Sequence, residues 1–303
     1  MKLLDLQKSI ETFAVIDILM VLIAIGGVIL GLLGFLLGGP WVYLTALMIL
    51  GELILLYGIL IAPNRLKTVI HRETLGPNAN VWLKIAFISD LHLDKKKDKR
   101  WVKKITATLK DLKPDLLLIG GDHVVHDAVD IAGADPLKNI QTTYGSYFIL
   151  GNHDYQDDPA YISQKLTNLG IHNLTNCSLS INVQGKELRL TGVDDGFYGD
   201  PKLPINRGDS NVAHMTLVHE PDMILDIKEG DTDLVLCGHT HGGQVRFPLI
   251  GALSAHSALG RKADCGRKII KGIPTIISRG LGEVGCRARL FATPEIVIIE
   301  LGI

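Results

Sequence analysis

Tyr147-Phe-Ile-Leu-Gly-Asn-His-Asp154 runs four apolar or aromatic residues directly into four that can turn the chain, bind a metal or carry a proton. A short apolar run bounded by glycine reads as a strand buried on both faces. Four other stretches repeat the plan. Ile85-Ala-Phe-Ile-Ser89 leads into Asp90-Leu91-His92, and Leu116-Leu-Leu-Ile119 into Gly120-Gly121-Asp122. Met215-Thr-Leu-Val218 leads into His219-Glu220-Pro221, and Leu234-Val-Leu236 towards Gly238-His239-Thr240-His241-Gly242-Gly243. A lone Asp-x-His or His-x-His is commonly a surface cluster. Five such ends, each after an apolar strand, point to one site at the carboxyl edge of an open sheet.

Two helices are expected between these strands. Lys99 to Leu112 is closed by Lys113-Pro114, and Pro159 to Leu169 opens on proline and stops at Gly170. Strands alternating with helices predict an α/β domain.

The N-terminal part follows another rule. Ile18 to Gly39 is an apolar run of about 22 residues, enough to cross hydrocarbon as a helix. Gly38-Gly39-Pro40 breaks it, and a second run from Trp41 to Ala62 carries one charge, Glu52. The first run is too long for a signal peptide and is followed at once by the second. We expect a membrane hairpin over 1–64, with helices at about 13–38 and 41–62, then a linker over 65–81 and a catalytic domain over 82–303. Lys2 and Lys8 precede the hairpin and Arg65, Lys67 and Arg72 follow it, whereas the turn has no basic residue. The positive-inside rule makes the chain multi-pass with its catalytic domain on the cytoplasmic side. The Gly27/Gly31 and Gly34/Gly38 spacings suit close helix approach, including in a homodimer. A charge at the depth of Glu52 normally faces a partner or cavity.

The 303 residues carry a net charge of -1, so no general basic field marks a nucleic-acid partner. Cys177, Cys237, Cys265 and Cys286 form no C-x-x-C pair, which argues against a zinc ribbon and favours buried free thiols. A basic run from Lys95 to Lys104, with Trp101 inside it, reads equally as a solvated helix start or a patch for anionic lipid.

In their order, D-x-H, G-D, G-N-H-D, H and G-H-x-H, these motifs resemble the calcineurin-like metallophosphoesterase superfamily from about Trp82 to Leu301. Gly238 to Gln244, Ser278 to Gly282 and Pro294-Glu-Ile296 look like its membrane-associated bacterial branch. The resemblance implies a four-layer αββα sandwich and two divalent metals bridged by Asp122. Asp90, His92 and His241 would hold one, and Asn152, His219 and His239 the other. Such a mixed oxygen and imidazole set suits Mn, Fe or Zn. Two metals about 3.5–4 Å apart would activate a bridging hydroxide for in-line attack on a phosphoester. His153 is the expected proton donor to the leaving oxygen, with Asp154 orienting its ring. His123, His126, His214 and His256 are expected to be structural.

Irregular stretches at Gly196 to Val212 and Phe247 to Arg267 are candidate specificity loops. Arg261, Arg279, Arg287 and Arg289 are candidate phosphate clamps. Tethering favours a lipid-linked phosphodiester or pyrophosphate as substrate, either a phospholipid or a nucleotide-linked glycolipid. The rival readings are a non-catalytic scaffold of the same fold and a nucleotide or nucleic-acid phosphodiesterase.

Overall fold

The computed structural model describes residues 22–39, 41–76, 79–203 and 211–303. The expected helix start at 13–21, the flanking Lys2 and Lys8, Pro40 and part of the first specificity loop lie outside the described residues.

Helix α1 (Leu22–Leu37) and helix α2 (Trp41–Leu56) are the apolar pair. α2 continues through a π turn at Tyr57–Ile61 and a 3₁₀ turn at Ala62–Asn64. Together, Trp41–Asn64 forms one helix of 24 residues, long and apolar enough to cross a membrane. The α1 glycines face α2. A Cβ on Gly27 would collide with the Glu52 carboxylate, and one on Gly31 would sit 2.9 Å from Ile49. Gly34 likewise lies against Thr45. Close packing within the chain therefore uses Gly27, Gly31 and Gly34, three of the four glycines expected to suit close helix approach.

The expected linker contains strand β1 (Lys67–Thr74), three residues beyond the helix end. β1 pairs in parallel with the last strand, β14 (Glu295–Gly302), from Lys67↔Glu295 to Thr74↔Gly302. No apolar run announces β1, because most of its side chains stay at least partly exposed and its partner is at the far end of the chain. The apolar helices are consequently joined to the sheet without a free tether.

Two six-stranded sheets form the domain. The first has the order β1, β14, β2 (Trp82–Ile88), β3 (Leu116–Gly120), β4 (Ser146–Ile149), β5 (His172–Asn173). The second, in spatial order, contains β12 (Gly266–Ile270), β13 (Ile273–Ile277), β9 (Leu234–Cys237), β8 (Ala213–Leu217), β7 (Lys186–Gly192) and β6 (Cys177–Val183). A short hairpin of β10 (Arg246–Phe247) and β11 (Gly251–Ala252) stands apart. β2, β3, β4 and β5 are mutually parallel, as are β7, β8, β9 and β13. Their carboxyl ends therefore gather at a common edge.

Successive side chains of a strand point to opposite faces, and here both faces are dry. Phe87, Leu118, Ile149 and Leu190 pack between the sheets with Met215 and Leu236. Ile88, Ile119 and Phe148 pack outward under helices α3 (Lys99–Leu112) and α4 (Pro159–Asn168). Each such side chain contributes about 1.5–3 kcal/mol by leaving water. α3 buries Trp101, Val102, Ile105 and Leu109, an amphipathic spacing, and Asp98 caps it by accepting from the Arg100 N–H at 2.8 Å.

Short 3₁₀ turns, Pro221–Asp226 and Gly260–Ala263, cover the outer face of the second sheet over Val218, Val235 and Ile277. The expected layer order stands, with 3₁₀ turns replacing α-helices in the fourth layer. Cys237 and Cys265 are buried and none of the four cysteines forms a disulfide, but Cys177 is exposed at the edge strand, against expectation.

Candidate metal centre

Asp90 and His92 follow β2, Asp122 follows β3, and Asn152 and His153 follow β4. From the facing sheet come His219 after β8, and His239 and His241 after β9. The turns that aim them are unusual. Asp90, His92, Asp122, His239 and His241 all have positive φ, between 42° and 68°. A non-glycine residue there costs about 1–3 kcal/mol, so the surroundings must enforce it. They do so by hydrogen bonds. The Asp90 N–H donates to Gly121 O at 3.0 Å, the His92 N–H to Asp122 O at 3.1 Å, and the Gly282 N–H to Asp90 O at 2.6 Å. Gly151 and Gly238 permit close approach, since a Cβ on either would lie 2.5 Å from a ligand carboxylate, Asp122 Oδ1 and Asp90 Oδ2 respectively.

The side chains meet in three overlapping groups whose donor atoms lie within 4.8 Å of one another: Asp90, His92, His241; His92, Asp122, His153; and Asp122, His219, His239. Asp122 is common to two. Its Oδ2 is 3.4 Å from His92 Nε2 and 3.1 Å from His219 Nε2. His92 and His241 bring ring nitrogens to 3.1 Å, and His241 Nε2 is 3.6 Å from Asp90 Oδ1. Asn152 joins through its Oδ1, 3.0 Å from His239 Nδ1. All seven expected ligands are thus brought together.

This donor set fits a pair of cations. Buried Asp90 Oδ2 has no hydrogen-bond partner. The other nitrogens of three of the four imidazoles are turned to carbonyls, as metal-binding imidazoles usually are, while His92 Nδ1 has no hydrogen-bond partner. His219 Nδ1 faces Gly120 O at 2.7 Å, His241 Nδ1 faces Gly282 O at 3.2 Å, and His239 Nε2 faces His256 O at 3.0 Å.

Burial holds His92 and His241 well below the usual imidazole range and His239 at about 4, so these rings are neutral, the ligating form. Burial also opposes ionisation of Asp122, but the His219 ring, by charge and hydrogen bond, and the His153 ring outweigh it and hold the carboxyl low. The same attraction raises His219 against its own burial. Burial lifts Asp90 to about 6.

The structure corrects the expected role of Asp154. Its Oδ2 pairs with His123 Nδ1 at 2.8 Å, and the carboxylate accepts from the His123 and Gly151 N–H groups. His153 instead sets its Nδ1 2.7 Å from Val125 O. Asp154 thus ties the Asp122 loop to the Asn152 loop. His123 is its buried partner, more than a loop filler. His214, between Thr191 and Asp231, is structural as expected. Among the arginines, Arg279 pairs with Glu295, Arg287 with Asp94 and Arg289 with Glu283, so none of these three is held ready for phosphate.

The site opens into a cleft of about 290 Å³ whose walls add Phe197, Gln244, His256 and Val284. The Phe197 ring stands 5.5 Å from that of His239. Asp195 holds this loop, its Oδ2 accepting from the Phe197 N–H at 3.1 Å and the Gly199 N–H at 3.2 Å. Burial and the Glu220 carboxylate push Asp195 up to about 8, so it keeps its proton at neutral pH. Asp195 went unnoticed in the sequence, although Asp194-Asp195-Gly196 is a turn signal.

Comparison with known proteins agrees with this geometry. Residues 83–243 match the calcineurin-like phosphoesterase family. An uncharacterized metallophosphoesterase of Campylobacter jejuni is 33% identical over 74% of this chain and 60% of its own length. Phosphodiesterase YaeI of Escherichia coli is 29% identical over 79% of this chain and 89% of its own. Among solved structures, a Thermus thermophilus protein reaches a TM-score of 0.45 at 12% identity, over 67% of this chain and 91% of that one. With a match over more than half its length, and the motifs of that match gathered where the carboxyl ends of two facing sheets meet, this chain belongs to the calcineurin-like phosphoesterase family.

Proposed function

We propose that the chain is a metal-dependent phosphoesterase, held at a membrane by its apolar helices, that hydrolyses a lipid-linked phosphodiester or pyrophosphate. The observation that carries the reading is Asp122, whose carboxylate is shared between two facing groups of imidazole and oxygen donors. Asp90, His92 and His241 would hold one divalent ion and Asn152, His219 and His239 the other. Bound there, the ions supply Lewis acidity at the phosphoryl group and a nucleophile at neutral pH.

The chain's own residues do the rest. His153 lines the cleft with Nδ1 committed to Val125 O, which leaves Nε2 to give a proton to the departing oxygen. Its backbone N–H donates to Asp122 Oδ1 at 2.8 Å and fixes that carboxylate. Asp154 and Asp195 hold the loops in place.

The helix over Trp41–Asn64 supports membrane attachment. With α1 it would form a hairpin, and the basic residues Arg65, Lys67 and Arg72 favour a cytoplasmic catalytic domain. The E. coli relative bears the name phosphodiesterase, which favours a diester. A scaffold role is less well supported, because every expected donor is present.

The test is hydrolysis of a chromogenic phosphodiester and its monoester by detergent-purified protein, chelated and then resupplied with Mn, Zn or Mg. Turnover that returns with metal and disappears in Asp122→Asn supports the reading. Two bound metal equivalents with no turnover on any phosphoester would leave the scaffold.

A further inference from the structure

The hairpin of β10 and β11 carries apolar side chains where a soluble domain would place polar ones. Leu249 is fully exposed, and Ile250, Leu253 and Phe291 are more than half exposed. The tip is also strained. Leu249 has φ of 68°, and the Ile250 N–H donates to Pro248 O at 2.8 Å, a γ-turn that thrusts the leucine outward. An apolar, strained turn of this kind is unfavourable in water unless something apolar receives it.

Its position says what that is. The Arg246 N–H donates to Leu290 O at 2.9 Å, and Val245 bridges Leu290 and Phe291. One residue earlier, the Arg289 N–H donates to Gly58 O at 2.9 Å, in the π turn that continues α2. The hairpin is therefore fastened, through the strip 289–291, to the end of the membrane-length helix. Its two stems begin beside the cleft, because Gln244 and His256 both line it. Arg261 and Lys262, both exposed, follow on the same loop and suit anionic head groups.

We infer that Phe247, Leu249, Ile250, Leu253 and Phe291 form a wedge seated in the lipid interface of the bilayer that α2 enters. The wedge holds the mouth of the cleft against the head groups, so a phosphoester carried on a lipid reaches Asp122 and His239 without leaving the membrane. This inference rests on the membrane-tethered phosphoesterase reading and adds the route of the substrate to it.

The test uses the full chain in nanodiscs of phosphatidylcholine and phosphatidylglycerol. A Leu249→Cys variant, with Cys177→Ser and Cys286→Ser, carries an NBD label, and doxyl-labelled lipids serve as quencher. Gln184→Cys is the control, an exposed site at the end of the second sheet away from the cleft. Quenching at 249 and none at 184 is the expected result, and no quenching at 249 overturns the wedge. In the second arm, phosphatidyl-p-nitrophenol in the disc is compared with bis-p-nitrophenyl phosphate in water. In Leu249→Asp/Ile250→Asp the ratio of the two rates should fall about tenfold, because two apolar anchors are lost. An unchanged ratio overturns the delivery role. Absent turnover on both substrates in the parent protein overturns the phosphoesterase reading, while the quenching result still decides the wedge.

Discussion

Two buried polar clusters lie side by side behind the cleft, and they have opposite chemistry. In one, fully buried Arg289 donates to Glu283 at 3.2 Å and to the Arg279 and Ala292 carbonyls at 2.9 and 2.8 Å. Lys97 approaches the same Glu283 at 3.5 Å and lies 3.8 Å over the Trp101 ring. The guanidinium and the ammonium share that one carboxylate, and backbone carbonyls take up further Arg289 donors. In the other, carboxylates and imidazoles face one another ring nitrogen to ring nitrogen, and Asp90 Oδ2 has no partner. The first cluster is complete as it stands, and the second is completed by cations. They touch where Arg289 Nη2 comes within 3.4 Å of His241 Nδ1. Burial of polar groups therefore does not by itself mark a site. What marks it is a set of donors whose mutual satisfaction fails.

The sharpest way to break the contrast is at the shared carboxylate. Asp122→Asn should lower metal-supported turnover about a thousandfold or more, since metal stabilisation is worth about 4 kcal/mol and each 1.4 kcal/mol is a decade. Folding should survive, which circular dichroism would check. A variant with wild-type kcat would remove Asp122 from the centre.

Arg289→Met comes next, and its effect belongs to stability. It takes the guanidinium from Glu283 and leaves Lys97, at 3.5 Å, as the remaining cation, at a cost of about 3 kcal/mol in urea unfolding. Adding Glu283→Leu and Lys97→Met, which removes all three charges, should recover much of that loss. If the triple variant is no more stable than the single, the cluster is not a paired unit.

Asp154→Asn should cost about 2 kcal/mol by weakening charged hydrogen bonds to His123 and Gly151. Because Asp154 does not touch His153, turnover on diesters with good and with poor leaving groups should change by the same factor in this variant. A loss confined to the poor leaving group would restore the orienting role that the geometry denies.

The smallest effect is a pH slope. Burial lowers Lys97 to about 8, although Glu283 opposes the shift. Between that value and its ordinary 10.5 the unfolded chain binds more protons, so stability rises with pH through this window. The gain is at most about 1.4 kcal/mol for the first pH unit above 8. Lys97→Met should lack that part of the slope, seen as a wild-type urea midpoint that climbs relative to the variant's as pH rises above 8. Parallel curves would place Lys97 in water.

The five strands that end in ligands were legible because each is a dry parallel strand, and the dryness writes a continuous apolar run. Lys99–Leu112 and Pro159–Asn168 were legible from caps and breakers that act within one turn. β1 and β6 were not, because an edge strand leaves many side chains in water and its pairing is made by backbone. The true partner of Asp154 was hidden for a related reason. Adjacency in sequence favoured His153, whereas the turn after β4 points the carboxylate back to a residue 31 positions earlier.

By itself the sequence determined which atoms are available: seven donors at five strand ends, and a helix apolar enough to enter a membrane. Those follow from local composition and short-range periodicity, which need no knowledge of neighbours. Tertiary structure alone decided that Asp122 is shared, that Asp154 serves His123, that the helical glycines are occupied within the chain and that an apolar hairpin rises beside the cleft. Each of those depends on pairing between segments far apart in the chain, and no local pattern encodes the geometry of such a meeting.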